Sequence, residues 1–212
     1  MRRTTRFINL ITATSFILMS YGCATSQKMA AEDKARITSI QINDSVEKGQ
    51  AFLLPPGGAS VGLMFGAVGG AVSAGSIANA QEAFTAYLAT NSISIERIVR
   101  EEITNAIRDS GKFSITATPD TSAPSIKIAV QQYGFGVTHL LSSNVVPVLH
   151  IKCDMIDGNG KIIWHASDRM LPSIASPMVA LPWDQLTSDP KQIEEQLRKA
   201  AKFLAEKLIK EL

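Results

Sequence analysis

The chain has 212 residues, 45% of them hydrophobic and 19% charged, and its 21 Lys+Arg nearly balance 19 Asp+Glu for a formal net charge of +2. Three of the basic residues (Arg2, Arg3, Arg6) lie at the very start, so the chain from Cys23 onward holds 18 basic against 19 acidic residues, a net of −1. That balance leaves no basic patch to attract nucleic acid.

Met1 to Cys23 reads as a secretory signal, with a basic start and a short apolar run from Phe7 to Met19. The run is too short for a stable transmembrane helix, which needs about 20 apolar residues. It ends in Ser20-Tyr21-Gly22-Cys23, which resembles the lipobox of bacterial lipoproteins. Gly22 matches the small residue before the cut and Cys23 the lipid-bearing cysteine. Ser20 and Tyr21 depart from the favoured Leu and small residue. The resemblance implies cleavage between Gly22 and Cys23, diacylglycerol on the Cys23 thiol and acylation of the new amino terminus. Several acyl chains, at about 0.8 kcal/mol per buried methylene, make a durable anchor. Ala24 after the cysteine implies the periplasmic face of the outer membrane. The competing reading is ordinary cleavage, which leaves a soluble periplasmic protein with a free Cys23. With Cys23 lipidated, Cys153 is the one thiol left and no intramolecular disulfide forms.

Thr25 to Ala35 is small and polar, so residues 23–35 read as a tether and residues 36–212 as one α/β domain. Arg36 to Asn43 is the first expected strand, through Ile37, Ile40 and Ile42. Leu53-Leu54-Pro55-Pro56-Gly57-Gly58 breaks it, and a glycine-rich insertion (57–80) follows inside the uncharged stretch Gly49 to Gln81. Gly58, Gly62, Gly66 and Gly70 recur at every fourth residue, which on a helix makes one packing face open to close approach. Five glycines in such a helix (Gly62, Gly66, Gly69, Gly70, Gly75) would cost roughly 4–5 kcal/mol relative to Ala. Packing against the sheet, a partner or lipid would have to offset that, and a flexible linker remains the alternative.

A helix continues from Gln81 to Ala89. Ser94 to Ser110 is the clearest one, with Ile95, Ile98, Val99, Ile103, Ala106 and Ile107 on one stripe. Ser92 or Ser94 suits its cap, Gly111 suits its left-handed end, and its charges read as a solvated face. Strands are expected over Phe113–Thr118 and Ile126–Gln131, with Gly134 and Gly136 as an interruption. Val145–Ile156 and Lys161–Arg169 form a hairpin around Asp157-Gly158-Asn159-Gly160. Its alternation makes Cys153 a small buried hydrophobe rather than a nucleophile. Pro172, Pro177 and Pro182 exclude regular structure before the last helix. Asp189-Pro190 opens that helix, with Gln192 placed for a capping-box contact and a stripe from Ile193 to Leu208.

The fold class expected is α/β (α+β): a mixed sheet with two amphipathic helices on one face, plus the glycine-rich insertion after the first strand. Asn91 to Phe113 (NSISIERIVREEITNAIRDSGKF), the strands after it and the terminal helix resemble bacterial envelope lipoproteins with a domain like the amino-terminal domain of TolB. The curli-secretion lipoprotein and an activator of penicillin-binding proteins belong to that group. The resemblance brings no catalytic motif with it. Ala71-Val72-Ser73-Ala74-Gly75 is one residue short of the Gly-x-Ser-x-Gly nucleophile elbow, with Ala71 where the first Gly belongs, and it lacks a preceding strand. His150 and His165, taken as diagonal neighbours on the hairpin, make a weak metal pair without a third ligand. Asp157-Gly158-Asn159 starts like a calcium loop, but Lys161 and Ile162 occupy positions the loop needs otherwise. No catalytic residue, metal or cofactor is therefore expected. Two functions are: a non-enzymatic, lipid-anchored periplasmic module that binds an envelope protein, or a homo-oligomeric secretion-channel-like lipoprotein whose glycine stretch enters the membrane.

Overall fold

The computed structural model describes residues 26–58, 77–116, 123–172 and 178–212. Among them are the strands β1 (Ser26–Gln27), β2 (Ser39–Leu54), β3 (Ser114–Ile115), β4 (Ser125–Val137), β5 (Asn144–Ile156), β6 (Ile162–Met170) and β7 (Leu181–Pro182). The helices are α1 (Ala31–Arg36), α2 (Ile77–Thr90), α3 (Ile95–Ser110), α4 (Trp183–Thr187) and α5 (Pro190–Lys210). The strands form one mixed sheet in the order β1-β6-β5-β4-β2-β3, with β7 on β5. β2 runs parallel to β4 and to β3; the other pairs are antiparallel. The parallel step from β2 to β4 is bridged through α2 and α3, the connection a parallel pair requires.

The sheet has two unlike ends. At the lower end β2 and β4 begin and the Asp157–Gly160 turn joins β5 to β6. At the upper end β2 and β4 finish, β5 begins and β6 stops. α3 and α5 run side by side and in the same direction, because Arg97 meets Glu194 near their starts and Lys112 Nζ donates to the Ile209 carbonyl near their ends.

The helices cover one face. α3 buries Ile95, Ile98, Val99, Ile103, Ala106 and Ile107, and α5 buries Ile193, Leu197, Ala200, Ala201, Leu204, Leu208 and Ile209. Against them stand Ile126, Ile128 and Val130 of β4 and Leu149, Ile151, Cys153 and Met155 of β5. α2 adds Phe84, whose ring meets Phe135 edge-on with centroids 6.0 Å apart. Ser94 caps α3 by accepting from Arg97 N–H, and Gly111 ends it at φ 63°. Asp189 caps α5 by accepting from Lys191 N–H; the bond from Gln192 to Asp189 is a main-chain one.

Five expectations change. Part of the tether joins the fold: Ser26 and Gln27 pair with β6, Met29 is buried, and Ala31–Arg36 is helical. β2 extends to Leu54, well past Asn43, and its polar middle lies on the edge of the sheet, where alternation of apolar residues is not required. Gly134 and Gly136 continue β4 instead of interrupting it. A Cβ on Gly134 would stand 1.8 Å from the Phe52 carbonyl oxygen, so only glycine lets β2 approach there. Of the strand expected over Phe113–Thr118, only Ser114–Ile115 is a strand among the described residues, and Ala117 and Thr118 lie outside them. The prolines before the last helix admit the short elements β7 and α4.

Candidate functional site

Cys23, Gly22, Gly62, Gly66, Gly70 and the Ala71–Gly75 segment lie outside the described residues. Gly58 closes a short 3-10 turn (Pro56–Gly58) in which Gly57 has φ 62°. Among the described residues no helix is long and apolar enough to cross a membrane, and no group of three His, Cys, Asp or Glu is placed to hold a metal.

The two histidines are not diagonal neighbours. His150 sits opposite Arg169 and His165 opposite Asp154, four residues apart along the strands, or about 13 Å. Each has its own partner: His150 Nε2 meets Ser167 Oγ at 2.9 Å and His165 Nδ1 meets Asp154 Oδ1 at 2.5 Å. Burial, reinforced by the nearby Arg169, holds His150 below the ordinary value of 6.5, with Asp168 opposing. Cys153 is fully buried and its thiol is pushed up to about 12, chiefly by loss of solvent, so it behaves as a hydrophobe. Asp157 is a turn residue that accepts from the main-chain N–H groups of Asn159 and Lys161.

An elaborated polar region lies where β2 bulges. Ile42 pairs with Ile126 and Val46 with Ile128, so two extra residues of β2 are looped out between them. Asn43 Oδ1 accepts from both the N–H and the hydroxyl of Ser45, which fixes the loop. The bulge throws Asp44 outward to pair with Arg100 of α3. Beside it a groove of about 530 Å³ runs along α3, lined by Asp44, Glu96, Arg97, Arg100, Thr104 and Arg108 among others. On the opposite face of the sheet, Asn43, Ser45, Glu47, Lys127, Lys152 and Asp154 border a second groove of about 290 Å³.

An ionic seam closes the far side of α3. Arg198 of α5 reaches Glu101 at 2.8 Å, Glu102 at 3.0 Å and Glu194 at 3.3 Å, and Arg97 joins Glu101 to Glu194. The hydrogen bond that Arg198 donates to Glu101 leads in holding its guanidinium more firmly protonated, against burial and with help from Glu102 and Glu194. Glu102 is nearly buried, so the face read as solvated is partly an inter-helix contact. Partners almost a hundred residues apart leave no trace in local sequence spacing. At Glu96, burial would raise the carboxyl; its own main-chain N–H, Ser94 and Lys48 outweigh that and lower it. These Arg–carboxylate pairs bind and orient; they do not assemble a nucleophile beside a base.

The described residues thus define an α+β domain whose mixed sheet is covered by helices on one face. No family model matches the chain, and no curated protein does. Solved structures similar to it include the PelC dodecamer of Paraburkholderia phytofirmans, at 14% identity over 88% of this chain and 96% of that one, with a TM-score of 0.42. A point variant of the same PelC dodecamer in another crystal form gives 14% identity, 88% and 94% coverage and the same TM-score of 0.42. A Xanthomonas campestris protein of family DUF330 gives 12% identity, 54% and 58% coverage and a TM-score of 0.37. Likeness at this level transfers no function. They show no TolB-like domain, and the resemblance carried by Asn91–Phe113, the strands after it and the terminal helix rests on sequence alone.

Proposed function

We propose that this chain is a non-enzymatic, lipid-anchored module of the bacterial cell envelope, tethered through Cys23 to the periplasmic face of the outer membrane, that binds another envelope protein. The observation that carries the binding role is the bulge of β2, which turns Asp44 out of the sheet and opens a charged groove along α3. Bulges commonly re-aim side chains at functional edges. Three arginines and three acids alternate around that groove, a pattern suited to a protein surface of mixed charge rather than to a polyanion.

Self-association is the second reading, and the outer side of β2 favours it. Among the described residues no strand pairs with that side beyond the contact with β3 at Ser39 and Ile40. Asp44, Glu47 and Lys48 punctuate it, as charges do on edges that must not pair freely.

Photo-crosslinking in intact cells separates the two. A crosslinker at Thr104, in the groove, is expected to capture one envelope protein, whereas one at Lys202 on the outer face of α5 captures none. Adducts between two copies of this chain would establish self-association instead. Equal, diffuse labelling from both positions would contradict the groove as a binding surface. Labelled fatty acid that enters the wild type and equally the Cys23→Ser variant would contradict the anchor.

A further inference from the structure

The charged side chains that line the groove along α3 divide into two groups. One group is committed to the fold. Glu96 accepts from the Ser94 hydroxyl at 3.0 Å and meets Lys48 of β2 at 3.3 Å. Arg97 and Glu101 belong to the seam with Glu194 and Arg198. The other group is Asp44, Arg100 and Arg108, and the fold holds it loosely.

Arg100 is paired with Asp44 alone, and the Asp44 side chain is 92% exposed on the looped-out part of β2. One guanidinium nitrogen meets one carboxylate oxygen there. Arg108 is exposed, and among the described residues no carboxylate pairs with it. The two arginines stand eight residues apart on α3, about 12 Å along the helix. Thr104 lies between them and donates its hydroxyl to the Arg100 carbonyl at 2.6 Å, so it engages neither guanidinium.

An ion pair as exposed as that of Asp44 and Arg100 contributes little, because water screens it. A carboxylate brought in by a bound partner meets the same guanidinium with less water around it, and can take two parallel N–H donors at once. We propose that the stretch of groove from Arg100 to Arg108 takes an acidic peptide segment of the partner, one carboxylate replacing Asp44 on Arg100 and a second pairing with Arg108. This rests on the groove being the binding surface. Residues four apart on an extended strand lie about 13 Å apart, which matches the two arginines. Glu96 and Glu101 line the same groove and repel a continuous polyanion, whereas a peptide sets its charges only where the arginines stand. Asp44 is the internal stand-in that occupies Arg100 until the partner arrives.

The test uses the full chain in intact cells, with a photo-crosslinker at Thr104 in four backgrounds: unaltered, Asp44→Asn, Arg100→Gln and Arg108→Gln. All three altered side chains are exposed at the surface, so the fold is kept. Asp44→Asn removes the competing carboxylate and is expected to raise the yield of adduct about twofold. Each arginine variant is expected to lower it about fivefold. Mass spectrometry of the adduct is expected to find Asp or Glu in the partner segment joined to position 104. Equal yields in all four backgrounds, or a joined segment without Asp or Glu, keep the groove as a binding surface and overturn the acidic segment. A fall in Asp44→Asn like that of the arginine variants makes Asp44 a contact to the partner and overturns the exchange. No adduct in any background removes the groove itself and the proposal with it. An adduct between two copies of this chain gives the groove to self-association and overturns the proposal as well.

Discussion

The lower and upper ends of the same sheet are built on different rules. At the lower end, turns are made by charged and polar residues that satisfy their own main chain: Asp157 accepts from Asn159 and Lys161, and a Cβ on Gly160 would meet nothing within 4 Å. At the upper end the strands are squeezed together and apolar on both faces. Val146 and Val148 are buried although they alternate with the core residues Val145 and Leu149, and a Cβ on Gly136 would meet Pro172, Phe52 and Val148 within 4 Å. The contrast teaches that the lower turn needs glycine for its main-chain conformation, whereas the upper strands need it for space.

The largest effect expected tests the scaffold that both ends share. Ile103 is fully buried between α3 and the sheet, and Ile103→Asp places an unpaired charge there, costing on the order of 4 kcal/mol. Urea unfolding reads it directly. A variant with unchanged midpoint would mean that α3 does not present this face to the core.

The next compares the two ends. Gly134→Ala drives a methyl into the Phe52 main chain at φ 145° and is expected to cost about 2–3 kcal/mol, whereas Gly160→Ala, at φ 82° in open space, costs about 1 kcal/mol. Thermal melts of the pair give the ranking, and the reverse order would show that the upper strands are not tightly apposed.

Between the ends lies the ionic seam. Arg198→Met leaves Glu102, which is nearly buried, without its guanidinium, and a loss of about 1–2 kcal/mol is expected. Arg198 is itself 35% exposed, so solvent screens part of the effect. Replacing Glu102 by Gln in the same variant should recover some of the loss; no recovery would mean that the Glu102 charge is already well solvated.

The smallest effect is one of pH. His150 has its folded value depressed below 6.5, chiefly by burial, so the native state takes up a proton less readily than the unfolded chain. The stability this contributes is present above about 6.5 and is lost as pH falls from there through the lower folded value. His150→Gln should flatten that part of the melting profile. An unchanged profile would move the pH response to other groups.

How much of this was legible in the sequence divides along physical lines. The stripes of α3 and α5 and the Asp157–Gly160 turn were readable because each depends on residues three or four positions apart. β2 exceeds the expected Arg36–Asn43 because its middle is an edge with a bulge, where side chains answer to solvent and to α3, not to a period of two. Gly134 and Gly136 looked like breaks because the reason for them, Phe52 and Pro172 alongside, is tertiary. The Arg198 seam needed the parallel packing of two helices. The glycine spacing from Gly58 to Gly70 lies largely outside the described residues, so its meaning still rests on sequence.

The binding role rests most directly on the groove that the β2 bulge opens along α3. Photo-crosslinking in intact cells from Thr104, with Lys202 on the outer face of α5 as the control, tests it. Capture of one envelope protein from Thr104 and of none from Lys202 is the expected result. Equal, diffuse labelling from both positions would contradict it.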